Sequence, residues 1–375
     1  MTTPPETADW KRAYTGKRVL VTGHTGFKGS WLTAWLASLG ADVFGFALAP
    51  PTTPSLFEAI DVASSCRHRV ADIRDAQAIA RAVSDADPDF VFHLAAQPLV
   101  RASYERPIET IEVNVLGTAH LLEALRVARA NAAKRCAVVV VTSDKCYEND
   151  DARRNGIVAF RETDPMGGHD VYSMSKGAAE LVLASYRRSF FSSSRIGEHG
   201  VAIASARAGN VIGGGDWAVD RIVPDAARAL ARGEPIVVRN PHAVRPWQHV
   251  LEPLGGYLLL GARLATAADP AAYCDAWNFG PSIDGACTVR ALVERTVAAW
   301  GGGTWEDRSD PRAPHEAAAL RLAIDKAGAT LGWRPRWSFD ETVARTVAWY
   351  RAHAGGAGSA ELRALTAAQI REYSG

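Results

Sequence analysis

Tyr172-Ser-Met-Ser-Lys176 sets a phenol and an ammonium four residues apart, so on a helix both side chains leave the same face. A phenol titrates near ~10, too high for a base at neutral pH, but a neighbouring cation favours the phenolate. Taken alone, the pair fits an ordinary amphipathic helix better. A second group stands at Thr142-Ser143-Asp144-Lys145, directly after the apolar run Val138-Val-Val-Val141. Such a run reads as a buried strand, and the residues after it fall on the sheet edge where open α/β folds bind ligands. There Ser143 can hydrogen-bond a substrate hydroxyl, and Asp144 can act as a general acid if burial raises its pKa. Lys145 serves as a base only if neutral and otherwise is a fixed cation; a turn or helix cap is the plain alternative for the Ser/Asp pair.

The element that gives these groups a partner is Val19-Leu-Val-Thr-Gly23-His24-Thr25-Gly26-Phe27-Lys28-Gly29-Ser30-Trp31-Leu32. It joins an apolar strand to a packed helix, expected over 30–39, through three glycines spaced GxxGxxG. Glycines there allow a tight turn and close backbone approach to a pyrophosphate, whose charge sits over the free N–H groups of the helix N-terminus. A dinucleotide is the ligand this implies. With a nicotinamide cation in place, a Tyr172 phenolate can remove a proton from a sugar hydroxyl while hydride leaves the same carbon, and the reading of the Tyr/Lys pair turns toward catalysis. Within the loop, His24 and Lys28 are expected to face solvent, Lys28 with the option of reaching a phosphate.

Short β-branched runs at 18–22, 42–47, 67–70, 90–94, 137–142 and 201–206 alternate with Ala-rich helical stretches such as 76–83 and 113–130. That rhythm predicts an α/β fold with a doubly wound parallel sheet, joined by right-handed crossovers and switching direction beside the first strand. Past Ala208 the pattern breaks into Gly- and Pro-rich turns, so residues 1–207 are expected to bind the dinucleotide. Residues 208–375 mainly form a smaller α/β substrate lobe, part of 241–275 returning to the first domain. Residues 148–156 read as an exposed polar loop, and 352–360 as a flexible connection before a last short helix.

The 375 residues carry 42 Lys+Arg against 41 Asp+Glu, a formal charge of +1, which argues against broad electrostatic binding to nucleic acid or a membrane surface. An anion site must therefore be local, and Arg221, Arg239 and Arg245 are candidates to clamp a diphosphate. Neither a bilayer-spanning run nor a signal-peptide core is present in the sequence, so a cytoplasmic location is expected. The five cysteines, Cys66, Cys136, Cys146, Cys274 and Cys287, are scattered and read as packed, reduced thiols; Cys146 lies near the acid stretch but is more simply an apolar filler. His93 reads as a satisfied core or rim histidine, and the histidines lack metal-ligand spacing, so no metal is expected.

TGxxGxxG, His93-Leu-Ala-Ala-Gln97, Asn114 and YxxxK together resemble the extended short-chain dehydrogenase/reductase family, which has a Rossmann fold and binds NAD(P). More narrowly, Gly23-His-Thr-Gly-Phe-Lys-Gly-Ser-Trp31, Gln97-Pro-Leu-Val-Arg101, Thr142-Ser-Asp-Lys-Cys-Tyr147, Ala208-Gly-Asn-Val-Ile-Gly-Gly-Gly-Asp-Trp217 and Arg245-Pro-Trp-Gln-His-Val-Leu-Glu-Pro253 resemble the CDP-glucose 4,6-dehydratase group. The likeness runs from about residue 16 to the C-terminus, through His315-Glu-Ala and Leu331-Gly-Trp333. It implies NAD as a recycled cofactor and CDP-glucose as substrate. Hydride leaves carbon 4 as Tyr172 takes the hydroxyl proton, water is lost across carbons 5 and 6, and hydride returns to carbon 6.

The resemblance implies catalytic roles for Ser143, Asp144, Lys145, Tyr172 and Lys176. It implies cofactor contacts from Gly23, Thr25, Gly26, Phe27, Gly29, Asp72, Ile73, Ala95, Ala96, Gln97 and Asn114 besides Tyr172 and Lys176, and substrate contacts from Asn210, Arg221, Arg239, Arg245 and Asn278. Related dehydratases of other nucleotides carry an Asp-Glu pair where this chain has Asp144-Lys145, so elimination rests on Asp144 and the base for the carbon 5 proton stays open. A nucleotide-sugar 4-epimerase would need no such acid; a dehydratase of another nucleotide-hexose and a silent NAD-binding protein are the other readings. The resemblance further implies a homodimer or dimer of dimers through helices at 113–130 and 173–190.

Three departures stand out. Val171 precedes Tyr172 where the family has proline, residues 156–160 lack an aromatic-rich run, and Phe46-Ala47-Leu48 lacks the acidic residue that commonly binds the adenosine ribose, so NAD is implied by the likeness alone.

Overall fold

The computed structural model describes residues 10–129, 134–149, 159–282, 286–309 and 321–375. The family-like segment His315-Glu-Ala, residues 156–158 and most of the expected 148–156 loop lie outside them.

Strands β1 (Arg18–Thr22), β2 (Asp42–Ala47), β3 (Arg67–Val70), β4 (Phe90–His93), β5 (Cys136–Val141) and β6 (Val201–Ala208) pair in parallel, in the order β3-β2-β1-β4-β5-β6. The order reverses beside β1, which opens a crevice past the C-terminal ends of β1 and β4. β6 is buried along all eight residues, as a parallel strand covered on both faces must be. Alternation along the strands sorts the core into two layers. Val19, Val21, Phe90, Phe92, Ala137 and Val139 face the first helix, Phe27–Ser38, and the helix Leu251–Thr266. Leu20, Val91, Val138 and Val140 face Ala76–Ala86, Gly117–Ala128 and Val171–Ser189.

The expected elements hold with shifts that have local causes. The first helix starts at Phe27, three residues before the expected 30, because Gly26 is its extended N-cap and the glycine loop runs straight into the first turn. The helix expected over 113–130 contains a turn of π-helix at Glu112–Leu116 before Gly117–Ala128. Such widened turns are frequent at functional sites, and this one carries Asn114.

A seventh parallel strand, Ala276–Phe279, lies beside β6 with Asn278 opposite Arg207, beyond the expected returning segment 241–275. The preceding helix Leu251–Thr266 lies under the sheet, where the Tyr14 hydroxyl donates to the Leu258 carbonyl at 2.5 Å. The rest of the second half contains the helices Ile222–Ala231, Val289–Trp300 and Phe339–Ala354 and three short strand pairs, Val211–Ile212 with Gln248–His249, Ile236–Val238 with Trp305–Asp307 and Val244–Pro246 with Ala286–Thr288. The terminal helix is not short: Ser359–Ser374 runs for 16 residues, and its Tyr373 donates to buried Glu252 at 2.8 Å. Leu362, Thr366, Gln369, Ile370 and Tyr373 keep helical spacing on the buried side, but two polar residues dilute the stripe. No helix among the described residues is long and apolar enough to cross a membrane.

Candidate active site

The glycine loop is a cradle shaped for close approach. Gly23 has φ +78°, and a Cβ there would lie 2.7 Å from the Ala95 nitrogen; one at Gly29 would lie 2.0 Å from the Gly23 carbonyl oxygen. No side chain caps Gly26, so the first-turn N–H groups of the helix remain available to a diphosphate. The Gly29→Ala variant is therefore expected to lose dinucleotide binding, and calorimetric titration with NAD checks this. Retained affinity would mean that the loop opens without loss.

The residues around the cradle divide into lining and bracing. Ile73 is buried, Ala95 and Ala96 are half-buried past β4, and Phe27 reaches the second lobe at Gly213. Thr25 donates to the Leu48 carbonyl at 2.9 Å, and the Asp72 carboxylate is held by Arg74 at 2.6 Å. Gln97 and Asn114, expected as cofactor contacts, spend their side chains inside the protein. The Asn114 amide accepts from the Gln97 N–H at 2.8 Å and donates to Ser175 Oγ at 2.9 Å, while Gln97 Nε2 donates to Thr110 Oγ1 at 2.9 Å. Their geometry ties the loop after β4 to the Tyr/Lys helix.

His24 and Lys28 correct the expectation of solvent-facing side chains. His24 is 0% exposed; its ring lies over Gly45, where any Cβ would stand 2.4 Å away, and its Nε2 is 2.6 Å from His68 Nδ1. Burial, then His68, pushes its pKa down to about 4. Lys28 turns inward: burial, with Arg221 and Lys176 acting in the same direction, lowers its pKa to about 8, and Asp144 opposes that.

Past β5, Ser143 is the N-cap of the turn Asp144–Cys146; its hydroxyl donates to Asp144 Oδ1 at 3.0 Å and accepts from the Lys145 N–H at 3.3 Å. Asp144 is 4% exposed, and burial raises its pKa against the pull of Lys145, Ser143 and Lys28. The turn after β6 closes over it, with a Cβ on Gly209 falling 2.8 Å from Asp144 Oδ2. A buried carboxyl that favours its proton is suited to general-acid work.

Tyr172 and Lys176 lie in Val171–Ser189, whose N-cap Asp170 accepts from the Ser173 N–H at 2.9 Å, so a helix start is secured without proline at 171. Burial pushes the Tyr172 phenol up to about 12, with the Ser143 hydroxyl and Arg221 favouring the phenolate and Asp144 opposing it. Lys176 Nζ lies 5.9 Å from the Tyr172 ring centroid, and burial lowers its pKa to about 8. The structure thus brings Ser143, Asp144, Lys145, Tyr172 and Lys176 to one sheet edge, as the sequence spacing required. Cys146 is fully buried and its thiol is pushed up by burial, the filler reading. His93 is engaged at both ring nitrogens, by Thr22 Oγ1 at 2.7 Å and Thr118 Oγ1 at 3.1 Å.

The expected substrate residues separate. Arg221 acts on Tyr172 and is held by Asp216 at 2.8 Å. Asn210 is exposed in the turn above Asp144, and half-buried Arg245 adjoins it through Pro246. Arg239 is exposed and bound to Asp220 at 2.7 Å, the same carboxylate that Arg101 meets at 3.2 Å. Asn278 is a correction: it is 0% exposed, donates to the Phe160 carbonyl at 3.0 Å and accepts from the Tyr147 hydroxyl at 2.7 Å, so it braces a loop instead of facing a ligand. Among the described residues no group of three or more His, Cys, Asp or Glu is placed to hold a metal ion.

The GDP-mannose 4,6 dehydratase family model matches residues 20–346. The chain is 48% identical over 342 residues to CDP-glucose 4,6-dehydratase of Salmonella typhimurium, covering 91% of this chain and 92% of that one. It is 31% identical over 286 residues to dTDP-glucose 4,6-dehydratase of Streptomyces antibioticus, covering 75% of each. Among solved structures, the dTDP-glucose 4,6-dehydratase DesIV of Streptomyces venezuelae, with NAD and TYD bound, superposes with a TM-score of 0.73 at 25% identity over 90% of this chain and 98% of that one. A UDP-glucose 4-epimerase of Thermotoga maritima, at 22% identity and a TM-score of 0.74 over 89% of this chain and 99% of that one, shares the fold. With a seven-stranded sheet, a glycine cradle and a Tyr/Lys helix facing a buried acid, this chain belongs to the GDP-mannose 4,6 dehydratase family.

Proposed function

We propose that this protein dehydrates CDP-glucose to CDP-4-keto-6-deoxyglucose with NAD as a recycled cofactor. The observation that carries the reading is Asp144: a buried carboxyl held toward its protonated form beside Ser143, Tyr172 and Lys176. An epimerase has no use for an acid at the carbon 6 hydroxyl. The choice of cytidine rests on the 48% identity to the Salmonella enzyme.

The loop fits NAD because Gly23 and Gly29 hold a tight backbone cradle where a Cβ would clash, and Gly26 is the N-cap beside uncapped helix N–H groups. Bound NAD supplies a hydride acceptor that is regenerated within each turnover. Lys176, beside the Tyr172 ring, would favour the phenolate, and Tyr172 Oη takes the carbon 4 hydroxyl proton while Ser143 Oγ hydrogen-bonds that oxygen. Once carbon 4 is a ketone, the carbon 5 proton is acidified, and Asp144 donates its proton to the departing carbon 6 hydroxyl. Lys145, as a neutral amine, receives the carbon 5 proton; as a cation it stands beside the developing enolate while a water receives that proton. Arg221 and Arg245 hold the diphosphate, and Arg239 joins them by exchanging Asp220 for phosphate oxygens. CDP-glucose deuterated at carbon 4 tests the sequence: deuterium is expected at carbon 6 with no net NADH, and deuterium lost to solvent would contradict it.

The assembly proposed is a homodimer or dimer of dimers. Gly117–Ala128 and Val171–Ser189 lie side by side, Arg126 over the Phe190 ring at 5.3 Å, and they leave Leu116, Val127, Leu181 and Phe190 exposed. Leu181→Lys is expected to shift the species seen by sedimentation velocity to the monomer, and an unchanged coefficient would place the contact elsewhere. Five unpaired cysteines suit a reducing compartment, and we place the protein in the cytoplasm.

A further inference from the structure

The catalytic stripe of the Val171–Ser189 helix does not end at Lys176. Glu180 continues it at the same four-residue step after Tyr172 and Lys176, and its carboxylate meets the Arg207 guanidinium of β6 well inside the protein. The two side chains are 3% and 1% exposed. Glu180 Oε1 accepts from Thr142 Oγ1 at 2.5 Å and Arg207 Nε at 2.9 Å; Oε2 accepts from Ser205 Oγ at 2.8 Å and Arg207 Nη2 at 2.9 Å. Arg207 Nη1 in turn donates to the Tyr147 hydroxyl at 2.8 Å and to the Glu162 carbonyl at 3.1 Å.

Thr142 immediately precedes Ser143, and Tyr147 immediately follows the Asp144–Cys146 turn. One ion pair therefore pins both ends of the acid-bearing segment and the helix that carries Tyr172 and Lys176. Replacing such a buried pair by apolar residues is often neutral or stabilising, so stability alone gives little reason for it. Burial works against the Glu180 charge, yet the Arg207 hydrogen bonds and charge hold its pKa below the usual carboxylate value.

We infer that Glu180 and Arg207 are positioning residues that fix the Ser143–Asp144–Lys145 edge against the Tyr172–Lys176 helix. The inference rests on the dehydratase reading, and its tests separate the two. Thr142→Val severs the tie to the acid edge and leaves the ion pair in place. It is expected to lower kcat about 10-fold with KM unchanged and a small fall in Tm, since small displacements of reacting groups carry large rate costs. Glu180→Leu with Arg207→Met removes both charges together. It is expected to lower Tm, because the Thr142 and Ser205 hydroxyls lose their acceptor, while kcat measured well below that Tm falls about 100-fold, and Glu180→Gln is expected to recover part of that kcat loss.

A readout that needs no turnover is the Tyr172 phenol titration in the NAD complex, taken as the ultraviolet difference from Tyr172→Phe. It is expected to move up by about one pKa unit in Thr142→Val as Ser143 leaves its place. A parent without turnover on any nucleotide-hexose would sink the dehydratase reading. A phenol titration and kcat matching the parent in both variants would sink the positioning role.

Discussion

Tyr172→Phe is expected to lower kcat for water loss from CDP-glucose by about 10²–10⁴-fold, the range that removal of a general base or acid covers. The phenol is buried beside Ser143 and Lys176, with Lys176 against its ring and the pKa of the neighbouring Asp144 carboxyl raised by burial. Removing one oxygen leaves the ring and the helix packing in place, so NAD affinity and Tm are expected to match the parent. Stopped-flow absorbance should then show no transient NADH after mixing with substrate. A variant that forms NADH at the parental rate would assign the carbon 4 proton to another group.

Asp144→Asn is expected to separate oxidation from elimination. Tyr172 still takes the carbon 4 proton, so enzyme-bound NADH forms, but asparagine has no proton to give the carbon 6 hydroxyl, and dehydration falls by about 10²–10⁴-fold. Asp144 acts in its protonated form. Its pKa lies above the usual carboxylate value because of burial, so in the parent the elimination rate falls as pH rises through that pKa, and the variant loses this limb. Rapid quench with product analysis by mass distinguishes the oxidised, undehydrated sugar from the 6-deoxy product. Full dehydration by the variant would move the acid role to Lys145 or a water.

Much of the sheet was legible because parallel strands buried on both faces announce themselves as short apolar runs; β3, Arg-His-Arg-Val, is an exposed edge strand without such a run and was legible only from the alternation of strands and helices. β1, β2 and β3 begin and end where their patterns do, and β4, β5 and β6 differ by one or two residues. The seventh strand Ala276–Phe279 was not, because a four-residue run containing a buried asparagine gives no clear period. The placement of the proposed catalytic set was legible through spacing: one helical turn for Tyr172 and Lys176, and a strand end for Ser143 to Lys145. His24 and Lys28 were misplaced because a polar residue in a glycine loop defaults to solvent. Only the tertiary fold brings a side-chain-free strand position, Gly45, under His24, and Asp144 within electrostatic reach of Lys28. Asn114, Gln97 and Asn278 lie next to ligand-binding edges in sequence, yet each is consumed by hydrogen bonds that join segments distant along the chain. The Glu180–Arg207 pair left a partial signal, an acidic residue extending the Tyr/Lys stripe, but its partner lies 27 residues away on a strand.

The proposed reaction is a dehydration selective for the cytidine nucleotide. Purified protein with added NAD is offered CDP-, dTDP-, UDP- and GDP-linked hexoses separately, and products are identified by mass and NMR. Loss of water from CDP-glucose alone is expected, with a 4-keto-6-deoxy product and no net NADH. An isomer of unchanged mass, or no product from any sugar while NAD is bound, would contradict it.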